Sequence, residues 1–275
     1  MRRPRIVDFS RFILKYIFNW RFWIAEITKK SKIYKKIIDF TLFKDDEIVV
    51  IPNTININKK IESEGSEFLP TDVIKEVIKR SNDIVLMNTC LCRTSNDCKD
   101  YPQDIGCIFL GPTARKIPKH IGKLATVEEA LAQVDRADEA GLSHIIGRNR
   151  IDAVWMNVHP GKGLLTICHC CPCCCLWKVY PNLDSDISDK LEKLDGVSVK
   201  LHEENCKKCK KCLESCMFEA ISFKDNKISI DNDNCKGCGL CVNSCKFDAI
   251  EIDYTSQTID NVVNRIDDLI EIKEL

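Results

Sequence analysis

Cys206-Lys-Lys-Cys209-Lys-Lys-Cys212-Leu-Glu-Ser-Cys216 and Cys235-Lys-Gly-Cys238-Gly-Leu-Cys241-Val-Asn-Ser-Cys245 are two copies of one pattern, C-x2-C-x2-C-x3-C, offset by 29 residues. The residues behind each copy match too, with Cys216-Met-Phe-Glu-Ala-Ile221 over Cys245-Lys-Phe-Asp-Ala-Ile250, so the repeat is a structural unit and not only a ligand pattern. Three thiolates on one tight loop converge on a single inorganic cube, and the fourth, leaving the loop, serves the other cube. The pair therefore reads as a duplicated iron–sulfur ligand set. A four-thiolate zinc site and a disulfide scaffold are the alternatives. Zinc, however, usually takes two C-x2-C pairs, not runs of three with a distant fourth.

On these residues the segment from about 196 to 254 resembles the bacterial two-cluster ferredoxins. The resemblance implies two [4Fe–4S] clusters: one on Cys206, Cys209, Cys212 and Cys245, the other on Cys235, Cys238, Cys241 and Cys216. It also implies short hairpins, here Val197 to Leu201 with Glu251 to Tyr254, and Ile221 to Phe223 turning at Asp225-Asn226 into Lys227 to Ile230. Two departures stand out. The proline that follows the fourth cysteine in that family is replaced by Met217 and Lys246, which restores a backbone N–H at each place. The first loop also carries Lys207, Lys208, Lys210 and Lys211 where the second has Gly237 and Gly239. Positive charge and extra N–H donors favour a reduced cluster, so the lysine-framed site is expected to have the higher potential.

A chain of 275 residues has room for about two domains, and the repeat occupies only some 60 of them. Eighteen cysteines with no cleavable leader argue for a reducing, cytoplasmic setting. Net charge is zero, yet residues 1–36 hold eleven Lys or Arg against Asp8 and Glu26. Within them Phe9, Ile13, Tyr16, Trp20, Trp23 and Ile27 form one helical apolar stripe, interrupted by charges and too short to cross a bilayer. Packing on the protein's own core and lying on an anionic membrane surface both suit it. Nucleic-acid binding has the charge but no motif.

The middle of the chain alternates short strands and helices. Glu47 to Ile51 and Ile84 to Asn88 read as strands, and Thr71 to Lys79 as a helix. Thr126-Val-Glu-Glu129 is a capping box opening a helix that Gly141 closes, and Leu142 to Ile146 is a further strand. A hairpin is expected from Ala153–Val158 and Leu164–Ile167 around His159-Pro-Gly-Lys-Gly163. Two cysteine sets follow strands: Cys90, Cys92, Cys98 and Cys107, then Cys168, Cys170, Cys171, Cys173, Cys174 and Cys175. Six cysteines within eight residues are not ordinary core thiols. Both sets are expected to converge on metal, an additional iron–sulfur cluster ahead of zinc. Neighbouring side chains point to opposite faces of an extended segment, so the whole run cannot enter one cube. The arrangement is similar to a cysteine-rich module found ahead of ferredoxin domains in anaerobes, a resemblance that names no reaction. Arg93 and His169 are candidate cofactor-contacting residues: Arg93 through an anion or a cluster-sulfur hydrogen bond, with an ordinary salt bridge as the alternative, and His169 as a hydrogen-bond donor or a metal ligand.

The expected class is α+β. It comprises a basic helical segment (1–45), a cysteine-rich α/β domain (46–180), a linker (181–195), the two-cluster ferredoxin-like domain (196–254) and a C-terminal helix (255–275). The expected function is electron transfer to a redox partner protein, with peripheral membrane contact through residues 1–36. A reductase working on a disulfide through the upstream cysteines is the rival. No nucleophile–base pair or nucleotide fingerprint is present in the sequence.

Overall fold

In the computed structural model, residues 18, 20–52 and 70–253 are described; the expected C-terminal helix and the first half of the basic stripe lie outside them. Ile48–Ile51, four apolar residues in a row, form a strand buried on both faces, as an uninterrupted run requires. This strand, β1 (Glu47–Ile51), lies near one edge of a seven-stranded sheet. The others are β2 (Ile84–Met87), β3 (Ile108–Leu110), β4 (Gly122–Leu124), β5 (Ser143–Arg148), β6 (Leu165–Cys170) and β7 (Leu191–Lys193), in the order β4-β2-β3-β6-β5-β1-β7. Every pair is antiparallel except β1 with β7. The class is α+β.

One face of the sheet carries Val49, Ile51, Ile146 and Ile167. It is covered by α3 (Pro70–Arg80), through Val73, Ile74, Val77 and Ile78, and by α5 (Val127–Glu139), through Ala130 and Val134. The α5 start has the expected capping box, Thr126 with Glu129. The other face carries Ile48, Val50, Ile145 and Cys170 against α1 (Trp20–Lys30), Trp177 and Tyr180. Ala25 and Thr28 are the buried residues of α1, whereas Trp20 and Trp23 of the expected apolar stripe are 62% and 63% exposed. The adjoining α2 (Lys32–Ile38) leaves Ile33, Tyr34 and Ile37 in solvent as well.

Two expectations change. Ala153 to Val158 is not a strand: Asn149 accepts the Asp152 backbone N–H and starts a helix, α6 (Arg150–Met156). Residues 181–195 hold α7 (Ser185–Ser188) and β7, and β7 joins the sheet in place of an open linker. The short helix α4 (Leu91–Ser95) carries the first cysteine pair.

Beyond β7, β8 (Ser198–Leu201) pairs with β11 (Ile250–Asp253), and β9 (Ile221–Lys224) with β10 (Lys227–Ile230), around α8 (Lys211–Ser215) and α9 (Leu240–Ser244). The two halves mirror each other down to Ser215 and Ser244, whose hydroxyls meet at 2.8 Å. Residues Val197, Val199, Ile221, Ile228 and Ile250 run into the same core as the sheet, and Asn243 Nδ2 donates to the Gly141 carbonyl across the boundary at 3.1 Å.

Candidate metal centres

Three features of the repeat bring its cysteines together. Each loop turns through left-handed residues, Lys208 and Lys210 in one and Gly237 and Gly239 in the other, so that two cysteines on the loop and a third on the one-turn helix after it come together. The fourth cysteine follows that helix and swings across. Cys206, Cys209, Cys212 and Cys245 accordingly line one small cavity with Ile228, Ala249 and Ile250. Cys235, Cys238, Cys241 and Cys216 are mutual neighbours: burial pushes the Cys238 thiol up to about 12, and the charges of Cys216 and Cys235 add to it. Cys241 is raised well above the usual thiol value too, by burial and then by Cys238, Cys235 and Cys216. Thiols held this far from ionisation are of little use as bare side chains; they suit cationic iron, which deprotonates them.

The ten upstream cysteines divide in two. A cavity of about 80 Å³ opens on the cysteine-bearing face of the sheet, walled by Phe109, Trp155, Met156 and Trp177. Cys90, Cys92, Cys107, Cys168, Cys170 and Cys175 line it together with Cys171, which a second group shares. Here Cys107 and Cys168 sulfurs are 3.6 Å apart. Hydrogen bonding from Cys107, then from Cys170, holds Cys168 well below the usual thiol range against its burial. Cys171, Cys173, Cys174 and Cys98 instead gather at the other end of the β6 loop. All eighteen cysteines are free thiols.

Arg93 joins the two loops. It is 1% exposed and donates through Nε to the Pro102 carbonyl (2.7 Å), through Nη1 to the His169 carbonyl (2.8 Å) and through Nη2 to that of Ile105. Burial would lower its pKa, but the Cys90 and Cys171 sulfurs overcome this and raise it. Its role is to brace the cysteine loops and put a fixed positive charge among them. His169 is one residue from Cys168 and Cys170, yet side chains alternate along β6, and its ring lies on the opposite face, paired with His144. Asp138 accepts from His144 Nε2 at 2.8 Å, and the two Nδ1 atoms meet at 2.9 Å. In the neutral pair His169 donates from Nδ1, leaving its buried Nε2 without a partner. Burial, helped by His144 and Arg93, holds His169 far below the usual imidazole value.

Sequence reading missed Asp152 and the tryptophans of the cavity wall. Asp152 accepts from Asn149 and Thr166, both at 2.8 Å, and burial raises its carboxyl to about 7, with Cys168 adding to the shift. The signal was present: Asn149-x-x-Asp152 is a helix start, and the helix it opens presents Asp152, Trp155 and Met156 along one side.

The model of a family described as a 4Fe-4S dicluster domain matches residues 199–252. That segment is an iron–sulfur domain of ferredoxin type. Searches of the curated proteins and of the solved structures returned no match to the chain.

Proposed function

We propose that this is an electron-transfer protein with two [4Fe–4S] clusters, on Cys206, Cys209, Cys212 and Cys245 and on Cys216, Cys235, Cys238 and Cys241, and a third iron–sulfur centre in the six-cysteine cavity. The clusters supply one-electron chemistry when bound. The chain spaces them, keeps water away and sets their potentials. The observation that carries the reading is a shared apolar layer: Cys238 and Leu240 of the ferredoxin-type domain lie in the same buried group as Cys170 and Cys175 of the cavity. A redox partner protein delivers or removes the electrons, and the upstream cysteines resemble the cysteine-rich module noted above. Anaerobic protein should contain about twelve irons per chain, falling to about eight in Cys168→Ser. About eight irons in the unaltered protein would remove the third centre.

A second reading is a reductase. Six cysteines exceed the four that a cubane takes, and the cavity walls are mostly aromatic and apolar, as in a small-molecule site. A change in the low-temperature EPR spectrum of the third centre on adding a disulfide supports the reductase; an unchanged spectrum and no turnover support the carrier.

Peripheral contact with an anionic membrane is part of the proposal. Among the described residues no helix is long and apolar enough to cross one. Trp20, Trp23, Ile33, Tyr34 and Ile37, each more than half exposed, stand among Lys29, Lys30, Lys32 and Lys36. Flotation with phosphatidylserine vesicles should be lost in a Trp20→Ser/Trp23→Ser/Ile33→Ser protein; equal flotation of both proteins rejects this part.

A further inference from the structure

We infer that Cys98, Cys171, Cys173 and Cys174 form a zinc site of four thiolates, separate from every iron–sulfur centre. Their sulfurs all lie within 4.8 Å of one another, with Cys98 to Cys173 and Cys173 to Cys171 both at 3.5 Å. Four sulfurs about 2.3 Å from one zinc ion stand roughly 3.8 Å apart along the edges of their tetrahedron. Cubane thiolates cap the corners of a much larger body and stand roughly 6 Å apart. The observed spacing fits one ion and leaves no room for a cube. Among the described residues no other group of three or more possible ligands is this tight, neither in the two ferredoxin sets nor in the six-cysteine cavity. Disulfides are excluded, because a bonded pair would sit about 2.05 Å apart.

The surroundings suit a closed structural site. Cys98, Cys171 and Cys174 are buried with Ile105, Ala137 and Leu142, between the end of α5 and the loop that follows α4. The Cys174 N–H points at the Cys171 sulfur at 3.4 Å, a hydrogen bond that a metal-bound thiolate accepts well. Four thiolates around a divalent ion leave a net charge near −2, and the buried Arg93 guanidinium beside Cys171 offsets part of it. Cys171-Pro172-Cys173-Cys174 supplies three ligands from four residues, and zinc, with no electronic preference for particular angles, accepts whatever tetrahedron that short loop dictates. The ion would clamp the loop holding Cys98 to the loop after β6, and so fix the mouth of the neighbouring cavity. Cys171 is shared with the cavity wall, and the six other cysteines there remain for the cavity's own occupant.

The test is a zinc K-edge X-ray absorption spectrum of protein isolated anaerobically without added metal, read with zinc and iron per chain. The expected result is one zinc per chain, surrounded by four sulfurs at about 2.3 Å. Cys98→Ser and Cys173→Ser should each lose that zinc while iron and inorganic sulfide stay unchanged, and Cys206→Ser should lose iron and keep the zinc. A zinc-free protein overturns the inference, as does nitrogen or oxygen in the zinc shell. Loss of about four irons in Cys98→Ser would reveal a cubane, and loss of one a single-iron centre; either overturns it. Where the variants fail to fold, the spectrum of the unaltered protein decides.

Discussion

Lys208 and Lys210 stand where the second loop has Gly237 and Gly239, and they adopt the same left-handed backbone, at φ of 55° and 65° against 65° and 80°. A side chain in that region costs roughly 1 kcal/mol. The Lys210 ammonium lies 4.0 Å from the centre of the Phe223 ring, which returns some of that cost. Lys208→Gly should therefore stabilise the loop by up to about 1 kcal/mol in anaerobic thermal unfolding. In an anaerobic redox titration, Lys208→Gln should lower the potential of the first cluster on the order of tens of millivolts, as expected for one charge a few ångströms from iron–sulfur. The reverse exchange is forbidden for steric reasons: a Cβ on Gly237 would lie 2.7 Å from Val197 Cγ1, so Gly237→Ala should cost iron from the second cluster.

Asp46 is a second residue with a readable consequence. One of its oxygens accepts the Arg150 backbone N–H at 2.7 Å, the other is buried without a partner, and burial lifts the carboxyl from near 4 to about 7. A carboxyl whose folded value is raised contributes stability that is fully present below about pH 4 and is lost as pH rises through 7. Asp46→Asn keeps the acceptor and removes the titration. Its unfolding midpoint should consequently fall less than that of the unaltered protein between pH 5 and 8; parallel curves would show that the carboxyl is already ionised in the fold.

At the scale of elements, local signals were the legible ones. The α5 capping box could be read from four residues, and Thr126→Ala should cost about 1 kcal/mol in thermal unfolding, since it removes the acceptor for the Glu129 N–H. The β9–β10 hairpin and the cysteine loops were equally local, because ligand spacing and turn residues fix them, whereas β8 and β11 pair across nearly fifty residues and were legible only through the resemblance. α6 was misread since Ala153-Val-Trp-Met-Asn-Val158 is rich in strand formers, and the Asn149 cap that outweighs them sits one turn earlier. β7 was unreadable because three residues carry no period; only its parallel register on β1, from Ile48 with Leu191 to Val50 with Lys193, makes it a strand. The division of the upstream cysteines has the same origin. Strand alternation in β6 sends Cys168 and Cys170 to the cavity and His169 the other way, and Cys98 arrives from more than seventy residues earlier in the chain.

For the whole molecule, the decisive fact is that one core runs beneath both halves. Leu194, Val197 and Val199 belong to the same buried group as Ile51 and Ile146, and Met217 and Phe218 pack with Val50 and Tyr180. The ferredoxin-type domain is therefore not tethered by a loose arm. Trypsin under native conditions should leave the bonds after Lys190 and Lys193 intact, although the stretch has the composition of a linker; early cleavage there would mean that β7 opens independently.

A cation sewn to three peptide oxygens has no escape route to solvent, and Arg93 is such a cation. Its countercharge is the sulfur of Cys90 and Cys171, and bound metal fixes that sulfur in its anionic form. An empty chain would thus close around a charge whose balance rests on thiols that can still take up a proton. The order of biogenesis follows: metal comes first or together with closure, and a polypeptide made in the absence of iron and zinc should remain open around residues 90–107 and 168–175, accessible to proteases long before its hydrophobic sheet would suggest.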